Sequence, residues 1–423
     1  MTSAEKSATK VIIVGCGVAG PVLAWFLKSK GYQPVVYERI ARDSDGGLSL
    51  MLQANGIRVL ALIPGLLEEL PGVVEDNMAF YSTVPGHEEM LGEYTFESSL
   101  KTASVPLKDL LINSLGMGIR RHDFLHLLAE TAIKAGVEIH YECKVVDVQQ
   151  SANSAEVEFE DGTTDTASFV VGCDGIHSNT RISLFGKEKA SYTGLTQLGG
   201  FSPSPKSWKQ KNTMANFFGE ESHMISYQVG PDLNSWAITR RETEHKETWR
   251  AVDDSMLQEL KQDPVAEWGH GAGELVQTAY KMTKYGLYDR PELKTWFKGR
   301  VVLLGDAAHP TSPHLGQGAN QAFEDVYHLV RVLIKYNPSA GDPSTETLKN
   351  AFEEYENIRI TRTSALVKQA RQTGDELRVV SGLEACLARN EGVRAAWADP
   401  ENGPGLRGLA KARTGPFEGE SEI

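Results

Sequence analysis

The chain has 423 residues, of which 41% are hydrophobic and 23% charged, with a formal net charge of −13; these values describe a soluble globular protein long enough for two or three subdomains. An acidic chain lacks the basic face that phosphate backbones require, so a nucleic-acid partner is excluded. Cys16, Cys143, Cys173 and Cys386 show neither metal-ligand spacing nor a disulfide framework, which excludes a metal-centred or disulfide-scaffold protein and fits a reducing, cytoplasmic compartment.

Met1 to Lys10 is polar and offers no signal-peptide core. Val11 to Leu27 carries no charge over 17 residues, but its three glycines and Pro21 make a membrane span a poor reading, and membrane association is not expected. Lys10 to Val14 reads as a short buried strand, followed by Gly15-Cys16-Gly17-Val18-Ala19-Gly20 and a helix over Val18 to Lys30. In this setting Gly15 allows the tight turn, Gly17 lets a pyrophosphate approach the backbone, and Gly20 lets helix and strand pack closely. A second strand, Pro34 to Tyr37, ends at Glu38, about 20 residues on, where a dinucleotide fingerprint places an acid for ribose hydroxyls.

Beyond the polar loop Arg42 to Gly47, Leu48 to Leu62 resumes an apolar pattern. Asp76 to Thr102 loses helical periodicity and predicts strands leaving the nucleotide domain. A helix is predicted over Arg121 to Lys134, then strands at Val137 to Tyr141, Lys144 to Gln150, Glu156 to Glu160 and Ser168 to Cys173. Ser191 to Tyr285 alternates and forms a second, substrate-covering region. Val301 to Leu304 is again a buried strand, and Gly318 to Tyr336 a helix with a wide apolar stripe. Glu346 to Leu387 continues as helix, interrupted at Gly374 and Gly382, with Val379, Val380, Leu383 and Leu387 packing against the flavin domain. Gly415 to Ile423 is acidic and glycine-containing, and is expected to fray.

Two further segments complete a constellation with the glycine turn: Cys173-Asp174-Gly175-Ile176-His177-Ser178-Asn179-Thr180-Arg181, and Gly305-Asp306-Ala307-Ala308-His309-Pro310 continuing through Pro313, Gly316-Gln317-Gly318, Asn320 and Glu324-Asp325. Together they describe a site for FAD. From about residue 10 to about residue 365 the chain resembles the class A, single-component flavin-dependent monooxygenases, the para-hydroxybenzoate hydroxylase and salicylate hydroxylase superfamily.

The resemblance implies an α/β fold: a Rossmann-type, glutathione reductase-like FAD-binding domain, discontinuous over 1–75, 105–185 and 285–345. Residues 76–104 and 186–284 would form an inserted mixed-sheet substrate domain, and 346–423 a C-terminal helical region with a frayed tail. Asp306, directly after a strand, would accept hydrogen bonds from ribitol hydroxyls. Gly316 and Gly318 would let backbone N–H groups reach the flavin's pyrimidine edge beside a helix N-terminus. By resemblance Pro313 shapes the wall beside the oxygen-reacting carbon, Arg121 holds the pyrophosphate or ribitol, and Asp174 and Arg181 serve both FAD and the passing nicotinamide.

The implied activity is hydroxylation of an aromatic or phenolic small molecule with NAD(P)H and dioxygen through a flavin 4a-hydroperoxide. Epoxidation of an alkene or heteroaromatic natural product is the alternative. Phe218, His223, Tyr227, Trp236 and Arg240 are candidate lining residues. Tyr227 or His223 is a candidate base toward a phenol, and His314 a candidate facing substrate, while His309 is read as a satisfied neutral ring near the flavin. No second GxGxxG followed by strand and acid is present, so the nicotinamide has no domain of its own. The halogenase signature WxWxIP is not matched by Ser235-Trp236-Ala237-Ile238. A non-catalytic carrier of the same fold is the reading from another class; Asp306 and Gly316-Gln317-Gly318 weigh against it. NADH versus NADPH, and monomer versus homodimer, stay open.

Overall fold

The computed structural model describes residues 9–44, 46–96, 106–208, 212–243, 250–251, 254–399 and 403–423. The polar start before Thr9 and the end of the predicted Asp76 to Thr102 strand region lie outside the described residues.

The fold is α/β. A six-stranded sheet runs in the order Phe297–Lys298, Val301–Leu303, Phe169–Gly172, Lys10–Val14, Gln33–Tyr37, Glu138–His140. All its neighbours are parallel except the Phe297–Lys298 edge. Its central strands are apolar on both faces, with Val11, Ile12, Ile13, Phe169, Val170 and Val171 fully buried, as a parallel sheet covered by helices requires. Helices Ala19–Ser29, Arg121–Lys134 and Gly318–Tyr336 share one core with it. Three short antiparallel strands, Val145–Gln150, Ala155–Phe159 and Thr164–Ala167, form a flanking meander.

An eight-stranded sheet follows the order Arg250–Ala251, Tyr280–Asp289, Ser191–Pro203, Leu233–Arg241, Ser222–Gly230, Thr213–Phe218, Asn77–Ser82, Glu89–Thr95. It is mixed: Thr213–Phe218 pairs parallel with Asn77–Ser82 and the rest are antiparallel. Its outer face is covered by helices Asp254–Gln262 and Ala272–Gln277 over Phe217, Met224, Trp236 and Ile238. A small sheet of Ser49–Leu52, Gly116–Arg120 and Val73–Glu75 lies between the two large ones. It meets the eight-stranded sheet closely, since a Cβ on Gly118 would stand 2.0 Å from Gln228 O.

Two expectations for the C-terminal part change. Helix Leu383–Trp397 packs on the eight-stranded sheet rather than on the flavin side, where Val393 and Trp397 join Met78, Phe80 and Phe218. The tail is docked: Phe417 stacks on Tyr327 at 4.9 Å, and Glu422 N–H donates to the Tyr327 hydroxyl at 3.1 Å. An aromatic contact of this kind outweighs the fraying that glycine and charge suggest.

Candidate active site

The first half of the site is built at the carboxyl ends of the parallel strands, where ligands collect in open α/β sheets. Gly15 has φ +105°, and a Cβ there would stand 2.5 Å from Cys173 O, so the middle signature packs directly on the glycine turn. A Cβ on Gly20 would lie 2.0 Å from Gly15 O, whereas one on Gly17 would meet nothing within 4 Å. That contrast is the shape of a phosphate cradle: two glycines demanded by packing, the middle one facing open space. Glu38 ends the second strand, and its carboxylate accepts from Cys16 N–H at 2.7 Å and Ile40 N–H at 2.9 Å, which ties it to the same turn.

Arg121 begins its helix beside that turn. Its Nη1 donates to Gly46 O at 2.9 Å, and a Cβ on Gly47 would stand 2.8 Å from its Cδ. Burial pushes the guanidinium pKa down, while the fields of Glu38 and Asp306 oppose that shift. Three residues expected at the cofactor therefore converge from separate elements. Asp306 follows the Val301–Leu303 strand and its side chain is exposed, although it sits deep in the fold. Desolvation raises its carboxyl pKa, against the pull of His309, Arg121 and Arg181. A Cβ on Gly318 would lie 3.8 Å from Asp306 Oδ1, so the helix that starts at Gly318 opens onto the same carboxylate.

Asp174 and Arg181 are placed differently from what the resemblance implied. Asp174 accepts from Ser178 Oγ at 2.6 Å and from Thr180 N and Oγ1 at 3.0 Å, shaping its own turn. Arg181 is 5% exposed and donates to Ile176 O at 2.6 Å, Ala307 O at 3.0 Å and Asp306 O at 3.3 Å. A buried guanidinium needs several acceptors, and backbone carbonyls supply them. It thus holds the Asp306 turn instead of reaching outward. His309 is satisfied, as expected, with Nε2 2.6 Å from Asp325 Oδ2 and its ring against Trp296.

The second half is the inner face of the eight-stranded sheet. Strand alternation decides which candidates share it. His223, Ile225 and Tyr227 pair with Thr239, Ala237 and Ser235, and Phe218 lies opposite His223. Trp236 and Arg240 sit one residue out of phase and belong to the outer face. Trp236 Nε1 donates to Ser202 Oγ at 2.8 Å within the helix-covered core, and Arg240 makes two 2.6 Å bonds to Asp263. These two lining assignments are corrected by the one-residue phase.

The inner face is polar. Tyr227 and Ser49 hydroxyls are 2.8 Å apart, Ser49 donates to Ser235 at 2.6 Å, Gln197 Nε2 donates to Thr239 Oγ1 at 3.3 Å, and the Tyr285 hydroxyl donates to Gln197 Oε1. Strand Ser49–Leu52 links this face to the flavin-edge loop. Beyond its end, Gln53 Nε2 donates to Leu315 O at 3.1 Å and Gly316 O at 3.2 Å, and Asn320 Oδ1 accepts from Gln53 N–H at 2.9 Å. The four steps from Ser49 to Gln53 span about 13 Å in an extended chain. Pro313 opens the short turn Pro313–Leu315 that carries His314, and Gly316 follows at φ +61°.

The histidines are neutral. Burial, then the charge of Arg378, hold the His314 pKa down to about 3. His223 is fully buried, and its pKa is held well below the usual range by burial, Arg378, His314 and Arg389. Its Nε2 lies 3.3 Å from Asn216 Oδ1.

The family comparison follows this geometry. Residues 8–370 match the FAD binding domain family. Over 91% of its length the chain is 30% identical to 3-amino-4-hydroxybenzoate 2-monooxygenase of Streptomyces cremeus, covering 92% of that protein. The chain belongs to the class A FAD-dependent monooxygenases. This monooxygenase is also 26% identical to 6-hydroxynicotinate 3-monooxygenase of Bordetella bronchiseptica, with 92% and 98% of the two chains covered. Among solved structures, Klebsiella pneumoniae HpxO complexed with FAD and uric acid shares the fold with a TM-score of 0.79 at 21% identity, over 97% of this chain and 98% of that one.

As a member of this family the monooxygenase takes FAD, with NAD(P)H as the family's usual reductant, and hydroxylates an aromatic small molecule. The residues present fit the cofactor: an open Gly17, an acid at the end of the second strand, and Arg121 and Asp306 converging beside Gly318. Among the described residues no helix is long and apolar enough to cross a membrane. Gln53, Gln197, Thr239, Tyr285 and Arg378 were not singled out from the sequence. The inner-face set could have been found by extending the two-residue phase of Tyr227 across the sheet; Gln53 and Arg378 carry no local signal.

Proposed function

We propose that this monooxygenase hydroxylates a phenolic ring, or a hydroxylated heteroaromatic one, held between the Gly316 edge and the inner sheet face. The carrying observation is the row of hydroxyl and amide groups formed by Tyr227, Ser49, Ser235, Gln197, Thr239 and Tyr285. Such a row orients a ring through its polar substituents, and it is the kind of lining that fixes a small molecule's pose. The named relatives act on 3-amino-4-hydroxybenzoate and 6-hydroxynicotinate, both hydroxylated rings.

Bound FAD, reduced by NAD(P)H, supplies the activated oxygen from dioxygen. The chain's own part is to hold cofactor and ring in register and exclude water. In this reading Gly15, Gly17, Gly20, Glu38, Arg121 and Asp306 hold FAD, with Pro313, Gly316 and Gly318 at its reactive end and Asp174 and Arg181 supporting the loops. The FAD domain comprises 1–75, 105–185 and 285–345, and the substrate domain 76–104 and 186–284. We place the protein in the cytoplasm, as a monomer or homodimer.

Tyr227 acts as a hydrogen-bond partner and not as a phenolate base, because burial pushes its pKa up to about 12. His223 and His314, held neutral, each offer one N–H and one acceptor nitrogen. Tyr227→Phe is expected to slow hydroxylation about tenfold while FAD stays bound, consistent with one lost hydrogen bond; an unaltered rate rejects the role.

The test of the function is NADH and NADPH oxidation under air by purified protein, with hydrogen peroxide counted, across phenols, hydroxylated N-heteroaromatics and alkenes. A phenol or heteroaromatic that speeds oxidation with little peroxide supports the proposal. Coupling to alkenes alone would replace hydroxylation by epoxidation.

A further inference from the structure

The segment Thr373–Arg378 is a π-helical turn, closed by Val379 N–H donating to Gly374 O at 3.2 Å. Turns of this kind are rare and concentrate at functional sites. It bridges both halves of the site. A Cβ on Gly374 would stand 2.3 Å from His314 Nε2, Val379 is buried with Leu195, Leu287 and Tyr285, and Val380 O accepts from Glu221 N–H at 2.8 Å.

Arg378 lies one turn beyond Gly374 and is partly buried; among the described residues it makes no hydrogen bond or ion pair. No carboxylate acts on it, and burial alone lowers its pKa to about 10. Its charge reaches His223 and His314. Both imidazoles have a buried Nδ1 without a partner. Arg389, the other cation acting on His223, is saturated by contrast, donating to Gly219 O at 2.8 Å and Asn390 Oδ1 at 3.0 Å. Three unpaired polar groups, one of them a full positive charge, therefore converge beside the inner face.

We propose that Arg378, with His223 and His314, forms an anion subsite that receives the carboxylate of the aromatic substrate. The inference rests on the hydroxylase reading and narrows it to ring carboxylates. Unpaired buried donors are costly, and a ligand that pairs them offsets that cost. A guanidinium fork matches a carboxylate's two oxygens, and a neutral imidazole adds one N–H. The polar row from Tyr227 to Tyr285 then meets the ring hydroxyl.

The test uses the FAD-loaded full chain and matched probes, the monohydroxybenzoates and the corresponding hydroxybenzamides, titrated by flavin absorbance. Wild type is expected to bind at least one acid more tightly than its amide. Arg378→Met should weaken that acid by about 10- to 100-fold and leave the amide unchanged, and Arg378→Lys, a charge without the fork, should fall between. Equal weakening of acid and amide, or no preference for the acid in wild type, overturns the proposal. Arg378 makes no bond within the protein, so Arg378→Met is expected to keep its flavin and melt no lower than wild type; loss of either would assign it a structural role instead. Binding of the acids without hydroxylation would sink the hydroxylase reading and leave the subsite standing, whereas hydroxylation of uncharged phenols without acid preference would do the reverse.

Discussion

Glu75 is fully buried at the end of a strand of the small central sheet, where Oε1 accepts Gln228 N–H at 2.7 Å and Oε2 has no partner. Burial pushes its carboxyl pKa up to about 8. An unfolded glutamate titrates near 4, so between about pH 4 and pH 8 the folded chain holds the extra proton and stability falls as pH rises. Glu75→Gln keeps the acceptor for Gln228 and removes the titration. It is expected to match wild type near pH 4 and exceed it at pH 8 by on the order of a few kcal/mol, read as a flatter profile of melting temperature against pH. Asp306 makes the opposite kind of residue-scale case, an acid kept exposed. Asp306→Ala is expected to leave a folded protein with FAD affinity lower by about 10- to 100-fold, as for lost hydrogen bonds to a charged group; unchanged flavin absorbance per protein would remove Asp306 from the cofactor site.

Among elements, the π-helical turn has the least freedom. Gly374 has His314 in front of it, so Gly374→Ala must displace the ring or the turn. A destabilisation of about 1–3 kcal/mol is expected from overpacking, with weaker binding of any ligand that uses His314. A melting temperature equal to wild type would show that the turn yields freely. Much at this scale was legible in the sequence. Helices Arg121–Lys134 and Gly318–Tyr336 have the predicted bounds, because their apolar spacing is helical and Gly136 stops the first of them. The inner-face assignment was half legible: Tyr227 and His223 share a phase, while Trp236 and Arg240 are attractive residue types on the wrong one.

For the whole molecule, the fully buried Arg359 joins the last signature to the C-terminal helix. Its Nε donates to Asp325 Oδ1 and Nη1 to Glu324 Oε2, both at 2.6 Å, and Asp325 also accepts from Gly305 N–H at 2.9 Å. Helix Thr345–Gln372 thereby supports the Asp306 turn without touching the site. Arg359→Met leaves two buried carboxylates without this partner and is expected to cost about 3–5 kcal/mol, measured by denaturant unfolding. Burial opposes ionisation of Asp325, but His309 and Arg359 prevail and hold its pKa down to about 2. Its contribution is therefore present above the unfolded value near 4 and lost as pH falls through about 2.

The sequence by itself determined the family, the FAD, the order of the three signatures and the helices that frame them. Each of those depends on short local patterns: glycines at fixed offsets, an acid after a strand, apolar spacing of one period. The tertiary structure decided which polar groups are consumed and which are left open. Arg181 closes on the backbone of a turn 125 positions away, Asp174 folds onto its own loop, and Arg378 stands beside two histidines with no partner among the described residues. Burial and pairing are set by residues distant in the chain, and no local pattern distinguishes a saturated guanidinium from one that awaits a ligand.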